Sequence, residues 1–560
     1  MLKSEKVALS RWVLLTSGLT TIAISPWWTY DPINVPKMSI LFFFAFPIGL
    51  LIFKVFVNSI KQRDFASLMA AGFLLSLGLA FTLSNEDKIQ QIYGAPGRNT
   101  GLITLVAFLL IFLGLLNSVT ENFSRDFTLI FVAVGLISAV YGLIQTLGLD
   151  PADWVNPYSP VIGFLGNPNF QSSFIGMSFV FLLSIILDKK LGRKKRFLGI
   201  FVQILFLINI FETKSQQGLI IVVIGSSWVI YNKIRNSKFS KLGLPYCIFV
   251  LVCGAMGALG ALRIGPLSKF IYTDSITYRG DYWRAGMKMW AENPFFGVGI
   301  DAYGSWYARA RDLKATLRRG GNVVSNAAHN VYIDMASNGG LFLFLSYVFI
   351  NILVFFAIFK TVRALKSFDP FFIALSGAWF SFQAQSIISI NQIGLSVWGW
   401  AISGSILGYS RFLLVDSDQS SRPVKSKVLQ KPSMKSSKTS PHYIMKLIAG
   451  LMIGGSVALP PIIAETKYMS LIQSGDAAKI FESAYLEPNT PYRMFRVATA
   501  FQENNIQDQA LKIGLDGSLK YPDFLDGWKF LYQSPASSTE LKARALAEIR
   551  RLDPLNPEFK

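Results

Sequence analysis

Long apolar segments recur along most of this 560-residue chain. Each is about 17 to 22 residues long, which is the length that an α-helix needs to cross a hydrocarbon core of ~30 Å. The pattern predicts an all-α, polytopic integral membrane helix bundle with about twelve to thirteen transmembrane helices. The thirteen predicted segments are 12–28, 38–56, 65–84, 101–119, 127–148, 172–187, 197–212, 217–232, 243–262, 339–360, 371–389, 394–413 and 443–464.

Composition and charge agree with this prediction. Hydrophobic residues make up 52% of the chain and charged residues only 16%, against about 25% in an ordinary soluble domain. Basic clusters such as KKLGRKKR (189–196) fall on one side of the predicted bundle, and this side is cytoplasmic if the N-terminus is cytoplasmic. The net charge of +21 is then explained by topology and by contact with anionic phospholipid, so no nucleic-acid partner is expected.

The polar stretches divide the chain into parts. Residues 1–413 form the main membrane domain, with a large extracytoplasmic loop at 263–338. Residues 414–442 are rich in Ser, Lys and Pro and are predicted to be a disordered basic cytoplasmic linker. The last predicted crossing, 443–464, would place residues 465–560 on the extracytoplasmic side.

The C-terminal part has the pattern of soluble amphipathic helices. Pro488, Pro522 and Pro554 each end a helical run, at spacings of 34 and 32 residues. This period resembles that of tetratricopeptide helix pairs, and the alternative is an unrelated small helical domain. Because helical-repeat surfaces hold peptides or other proteins, a protein partner is expected for this domain.

The predicted membrane segments have almost no ionisable residue near their centres, which disfavours a transporter or a proton relay. Polar chemistry is concentrated instead in the loop 263–338, which contains ten basic and six acidic residues. A basic, aromatic-rich loop of this kind suits an anionic lipid-linked ligand. The alternative is a surface that rests on phospholipid headgroups, and both interpretations stay open for the stretch from Arg309 to Arg319.

Four stretches together resemble the O-antigen ligase and polymerase superfamily. They occur in the family's order and are all predicted to lie at the outer membrane face, and the resemblance covers roughly residues 35 to 410. The stretches are GRNTGLITL (97–105), GFLGNPNFQSSFI (163–175), YRGDYWRAGMKMWAENPFFGVGIDAY (278–303) and HNVYIDMASNGGLFLFLSYV (329–348).

The resemblance implies a GT-C-like, metal-independent glycosyltransferase of the plasma membrane, without a cofactor. Its donor would be a glycan on undecaprenyl pyrophosphate, and its acceptor a hydroxyl of a glycan, a lipid or a protein. On this basis the function is that of an O-antigen ligase or a protein O-oligosaccharyltransferase. A polymerase of surface polysaccharide is the alternative, and a polysaccharide transporter or non-catalytic scaffold is the alternative from another class.

The resemblance also suggests catalytic residues. His329 is one of only two histidines in the chain and matches the histidine of the family's loop, so it is a candidate general base for the acceptor hydroxyl. Arg279 and Arg98 match arginines of the family and are candidates for neutralising the pyrophosphate, with Arg284 as a further contact. Alternatively, His329 orders the start of the following helix through Asn330, and the arginines fix the loop to its own acids.

The remaining candidates for substrate binding lie in two other outer loops. Asn167 and Asn169 have turn-forming chemistry first and glycan or phosphate binding second. In KSQQGLI (214–220) the chain departs from the family, because Gln216 and Gln217 stand where members often have arginine, and Lys214 is a candidate to compensate for that charge. Together with Asn330, these residues complete the predicted binding set.

Overall fold

The computed structural model describes residues 1–154, 156, 159–365, 367–420 and 440–559. Within these ranges the chain is helical and contains no β-strand. The first ten helices are α1 (Lys3–Ile22), α2 (Asn34–Lys61), α3 (Phe65–Leu83), α4 (Lys88–Tyr93), α5 (Leu102–Ser118), α6 (Phe123–Thr146), α7 (Pro168–Ile186), α8 (Arg193–Glu212), α9 (Gln216–Arg235) and α10 (Gly243–Ala261).

The large loop and the C-terminal half contribute thirteen more helices. These are α11 (Ser268–Ile271), α12 (Asp274–Glu292), α13 (Tyr303–Ala310), α14 (Leu313–Arg319), α15 (Val331–Ala364), α16 (Pro370–Ile388), α17 (Ile393–Ser420), α18 (Pro441–Gln473), α19 (Ala477–Ser483), α20 (Pro491–Glu503), α21 (Gln507–Lys520), α22 (Leu525–Gln533) and α23 (Thr539–Leu552).

The predicted polytopic helix bundle is confirmed. Each of the thirteen predicted segments coincides with one helix, and nine of the described helices are long and apolar enough to cross a membrane. Of the other predicted segments, α5 is apolar but only 17 residues long. The first turn of helix α8 is basic, which shortens its apolar part; it consists of Arg193, Lys194, Lys195 and Arg196.

The bundle is held by close packing of apolar faces. Helix α2 packs against α18, α5 packs against α17, and α7 packs against α9 and α16. Aromatic side chains fill the centre, where the rings of Phe131 and Trp398 lie 4.7 Å apart in an edge-to-face arrangement. The C-terminal domain and the loop each have a separate small hydrophobic core, the first around Trp528 and the second around Tyr303.

The connection to the C-terminal domain is a continuous helix. Helix α18 runs from Pro441 to Gln473, and its Tyr468 already belongs to the core of the C-terminal domain. The predicted boundary at residue 465 therefore lies inside a helix. Residues 414–420 continue α17, and α18 starts at Pro441, whereas residues 421–439 of the predicted linker lie outside the described residues.

Helix α15 is kinked at Gly340, where the backbone takes the left-handed conformation (φ 69°). At the kink, backbone groups of α15 are free to bond to the stretch NPFFGVG (293–299). Val298 N donates to Ser337 O (2.8 Å), and Leu341 N donates to Pro294 O (2.8 Å). A Cβ atom at Gly340 would lie 2.3 Å from the carbonyl carbon of Phe295, so only glycine permits this approach. The kink thereby fixes the loop to the top of α15.

Candidate functional site

His329 lies in the short segment between α14 and α15, with a left-handed backbone (φ 53°). Its imidazole is half-buried and stacks on the ring of Tyr282, with centroids 5.2 Å apart and ring planes 28° apart. The following residue, Asn330, caps α15 by accepting hydrogen bonds from the backbone amides of Tyr332 (3.0 Å) and Ile333 (3.2 Å). Helix capping is therefore done by Asn330, which leaves the imidazole available for other contacts.

The surroundings of His329 favour the neutral imidazole. Burial, and after it the nearby positive charges of Arg279, Arg98 and Arg319, together lower its pKa from 6.5 to about 4. No side chain or backbone group of the described residues hydrogen-bonds either ring nitrogen. A neutral, unpartnered imidazole beside three cations is able to accept a proton from a bound hydroxyl.

Of these three arginines, Arg279 has the weakest hydrogen bonding. It lies on α12, and its Nη1 donates a long hydrogen bond of 3.4 Å to the hydroxyl of Ser275. Its buried Nε has no hydrogen-bond partner, and no carboxylate of the described residues pairs with its guanidinium. Burial lowers the pKa of Arg279, but an arginine stays charged at neutral pH. A half-buried cation without a counter-ion is a site for an anion.

Arg319 is a further member of the site that the sequence did not single out. It ends α14, donates to the Tyr282 hydroxyl through Nη1, and lies over the ring of Tyr278 at 4.4 Å. It also has no carboxylate partner among the described residues. In the sequence, Arg319 is distinguished only as the last residue of the basic stretch that begins at Arg309. For that stretch, a surface that rests on phospholipid headgroups was as good an interpretation as a ligand site.

Arg98 is held by acids instead. Its side chain is 3% exposed, with Nε 3.3 Å from Asp301 Oδ1 and Nη2 3.8 Å from Asp334 Oδ2. Its Nη1 also donates to the carbonyl of Asn326 at 2.5 Å, three residues before His329. This geometry supports the alternative interpretation, in which the arginine fixes the loop to its own acids while its charge still acts on His329.

Arg284 is in a similar position. It bonds to Asp281 Oδ1 at 2.5 Å and to Asp312 Oδ2 at 2.8 Å, and its side chain is half exposed. Arg318 pairs with the same Asp281 at 2.6 Å. These pairs tie α12 to α14, so they support a structural role for Arg284 and position Arg319 at the end of α14.

Two predicted residues from the outer loops are engaged locally. Asn167 caps α7, accepting from the Asn169 amide at 2.9 Å, and Asn169 Oδ1 accepts from the Ser215 hydroxyl at 2.7 Å. Gln217 is 4% exposed, and neither its amide oxygen nor its amide nitrogen has a hydrogen-bond partner. Lys214 is exposed in the same loop with φ 54°. No contact among the described residues joins Lys214 or Gln217 to His329.

The large loop and the C-terminal domain lie on the same face of the bundle. Arg311 of the loop is 1% exposed and bonds to Asp553 at 2.7 Å, and its Nη2 also donates to the carbonyl of Gly321. Asn322 Nδ2 donates to Glu558 at 3.1 Å. These contacts hold the segment that leads from Arg319 to His329 against the C-terminal domain. Within the described residues, no group of three or more His, Cys, Asp or Glu side chains could hold a metal ion.

Residues 201–348 match the protein-family model described as O-antigen ligase. The matched range begins in α8 and ends in α15, and it contains the loop with Arg279, Arg319 and His329. Arg98, Asn167 and the C-terminal domain lie outside it. No curated protein matches the chain.

Proposed function

We propose that this chain, a membrane protein of the O-antigen ligase superfamily, transfers a glycan from an undecaprenyl-pyrophosphate carrier to an acceptor hydroxyl at the outer face of the plasma membrane. The observation that carries this proposal is the group of His329, Arg279 and Arg319. A neutral imidazole and two guanidinium groups, neither of which pairs with a carboxylate of the described residues, lie together in one half-buried site. The family contributes the class of reaction, and the geometry supports roles for individual residues.

Each role follows from the chemistry of transfer. The acceptor oxygen attacks the anomeric carbon of the donor glycan, and its proton passes to the neutral imidazole of His329. The bond between the anomeric carbon and the carrier's phosphate oxygen breaks, and its electron pair leaves with the pyrophosphate. Arg279 and Arg319 stabilise the charge that develops there, because guanidinium groups bind phosphate oxygens in a bidentate manner. Attack opposite the leaving group inverts the anomeric configuration.

A ligase is preferred over a polymerase because of the C-terminal domain. The buried pair of Arg311 and Asp553 holds this domain beside the reaction site, where it is able to contribute to recognition of a protein or glycan acceptor. A polymerase that joins repeat units is the second candidate, and the same residues would serve its chemistry. The helical-repeat identity of the domain stays a prediction, although its helices do pack in pairs, α20 with α21 and α22 with α23.

The test is deletion of the gene and complementation with His329→Ala, Arg279→Ala and Arg319→Ala. Each variant is expected to lose transferred glycan while the protein is present at wild-type levels in the membrane. Lys288→Ala is the matched control, because Lys288 is an exposed cation on the same helix as Arg279, and its ammonium makes only long contacts, with Glu292 at 3.9 Å and with the carbonyl of Arg309 at 3.5 Å. Full restoration of surface glycan by the His329 and Arg279 variants would exclude the proposal.

The same strains separate ligase from polymerase. Loss of a ligase leaves a long glycan on its carrier lipid, which is detected by extraction and mass spectrometry of the lipid fraction. Loss of a polymerase instead leaves single repeat units attached to the acceptor. Accumulation of neither species in the deletion strain would count against both activities.

A further inference from the structure

A cavity of about 540 Å³ lies between the bundle and the C-terminal domain, which is within the range of small-molecule sites. Its bundle wall is formed by the connections between α1 and α2, α4 and α5, and α16 and α17, and by the segment before α7. Its other wall comes from α18 and α20, including Arg493 and Arg496. His329, Arg279 and Arg319 do not border it, so it is distinct from the site proposed for the reaction.

Two buried amide atoms of residues at this cavity have no hydrogen-bond partner among the described residues. They are Oδ1 of Asn99, which is 6% exposed, and Nε2 of Gln392, which is 4% exposed and whose Oε1 accepts from the amide of Leu395 at 3.0 Å. Both residues border the cavity. Because buried polar groups are nearly always hydrogen-bonded, one unpaired acceptor and one unpaired donor beside the same cavity indicate a ligand with hydroxyl or amide groups.

The lining of the cavity also includes aromatic rings and a cation that has no carboxylate partner among the described residues. The rings of Tyr30 and Tyr468 lie 5.2 Å apart, and the guanidinium of Arg496 lies 4.4 Å above Tyr30. Arg493 is engaged by Glu465 at 3.3 Å, whereas Arg496 has no carboxylate partner among the described ion pairs. Such a mixture of ring faces and outward donors is suited to a ligand that is apolar on one face and hydroxylated at its edges.

The geometry points to this cavity as a carbohydrate-binding site, completed by the C-terminal domain, that holds sugar units adjoining those at the reaction site. The inference rests on the proposed function, which supplies the carbohydrate. Sugar hydroxyls both donate and accept, so a carbohydrate offers a donor to Asn99 and an acceptor to Gln392, which a lipid chain cannot do. The cavity also adjoins the reaction site, because Arg98 borders it and bonds to the carbonyl of Asn326 in the segment before His329.

The variants for the test are chosen to preserve the fold. Asn99 has φ 55°, a conformation that glycine adopts freely, so Asn99→Gly removes the amide without backbone strain. Arg496→Ala removes an exposed side chain. Its matched control is Arg544→Ala, since Arg544 is also exposed in the C-terminal domain and lies over an aromatic ring, Trp528, at 5.6 Å.

Binding is measured by isothermal titration calorimetry on the full-length protein in phospholipid nanodiscs. The first probe is the glycan released by mild acid from the carrier-linked pool of the host cells, and the second is the oligosaccharide acceptor isolated from cells that lack the gene. Binding of the first probe assigns the cavity to the donor glycan, and binding of the second assigns it to the acceptor. We expect Kd to rise roughly five- to tenfold in Asn99→Gly and in Arg496→Ala, with no change in Arg544→Ala.

Several outcomes overturn the inference. These are binding of neither probe, equal Kd values for wild type and both cavity variants, and retention of a phospholipid in native mass spectrometry that Arg496→Ala removes. His329→Ala is measured alongside and should abolish transfer while keeping the glycan Kd. If His329→Ala transfers glycan at the wild-type rate, the proposed function fails, whereas the Kd values still decide what the cavity binds.

Discussion

The pH dependence of glycan transfer is the sharpest test of the role of His329. A general base must be unprotonated. For this reason kcat/KM decreases as the pH drops below the pKa that the base has in the free enzyme. Burial and the positive charges of Arg279, Arg98 and Arg319 disfavour the imidazolium and lower the pKa of His329 to about 4. The acid limb of the kcat/KM profile is therefore expected near pH 4, well below the ordinary value of 6.5.

An ordinary and a lowered pKa of His329 predict clearly different dependences of kcat/KM on pH. With a pKa of 6.5, kcat/KM would drop about 30-fold between neutral pH and pH 5, because only a small fraction of the imidazole would be neutral. With a pKa of about 4, the profile stays nearly flat over this interval. The donor pyrophosphate, once bound, offsets the arginine charges and raises the pKa, so the acid limb of kcat should lie at higher pH than that of kcat/KM.

Substitution of one arginine provides the internal check. After burial, the charge of Arg279 is the largest influence that lowers the pKa of His329. Arg279→Gln removes this charge, so the pKa should rise and the acid limb of kcat/KM should move to higher pH. The assay is transfer of fluorescent carrier-linked glycan by the purified protein between about pH 3 and pH 8. An acid limb near 6.5 in the wild type, or a limb that Arg279→Gln shifts to lower pH, would refute the reasoning.

Two further predictions concern stability, both read as the melting temperature of the purified protein in detergent. Asp553→Asn leaves Arg311 buried without a carboxylate, so the free energy of unfolding should fall by about 3–5 kcal/mol; an unchanged melting temperature would show that the pair is dispensable. Gly340→Ala places a Cβ atom against the backbone of Phe295 at a residue with a left-handed backbone conformation, so the free energy of unfolding should fall by more than ~1–2 kcal/mol. The control is Gly78→Ala, where a Cβ atom meets open space, and it should leave the stability unchanged or raise it.

The bundle was predictable because the membrane imposes a local rule. A segment in hydrocarbon must be apolar, helical and long enough to cross, and all three properties are visible in about twenty consecutive residues. For this reason all thirteen predicted segments coincide with helices. The extension of α18 to Gln473 was not predictable in the same way, because its last turns are stabilised by packing of Tyr468 in the C-terminal core.

The site was predictable only in part, since partners of charged residues are set by tertiary structure. The resemblance to the family drew attention to His329 and Arg279, and the structure brings these two together with Arg319. Arg98 and Arg284 matched the expected residue type equally well. Their engagement by Asp281 and Asp301 was the alternative interpretation. Arg284 and Asp281 are three positions apart on one helix, so their spacing puts them in reach. Arg98 and Asp301 are 203 positions apart and meet only through the tertiary structure.

The arginines of the large loop and of the connection between α4 and α5 fall into two groups. Arg284 and Arg311 bond to carboxylates that fix α12 to α14 and the loop to the C-terminal domain, and Arg98 bonds to Asp301 from the connection between α4 and α5. Arg279 and Arg319 lie on the two helices that these pairs hold, and among the described residues neither has a carboxylate of its own. The paired arginines thus maintain an arrangement in which Arg279 and Arg319 are without carboxylate counter-ions among the described residues, and in the proposed reaction the anionic donor takes the place of those counter-ions.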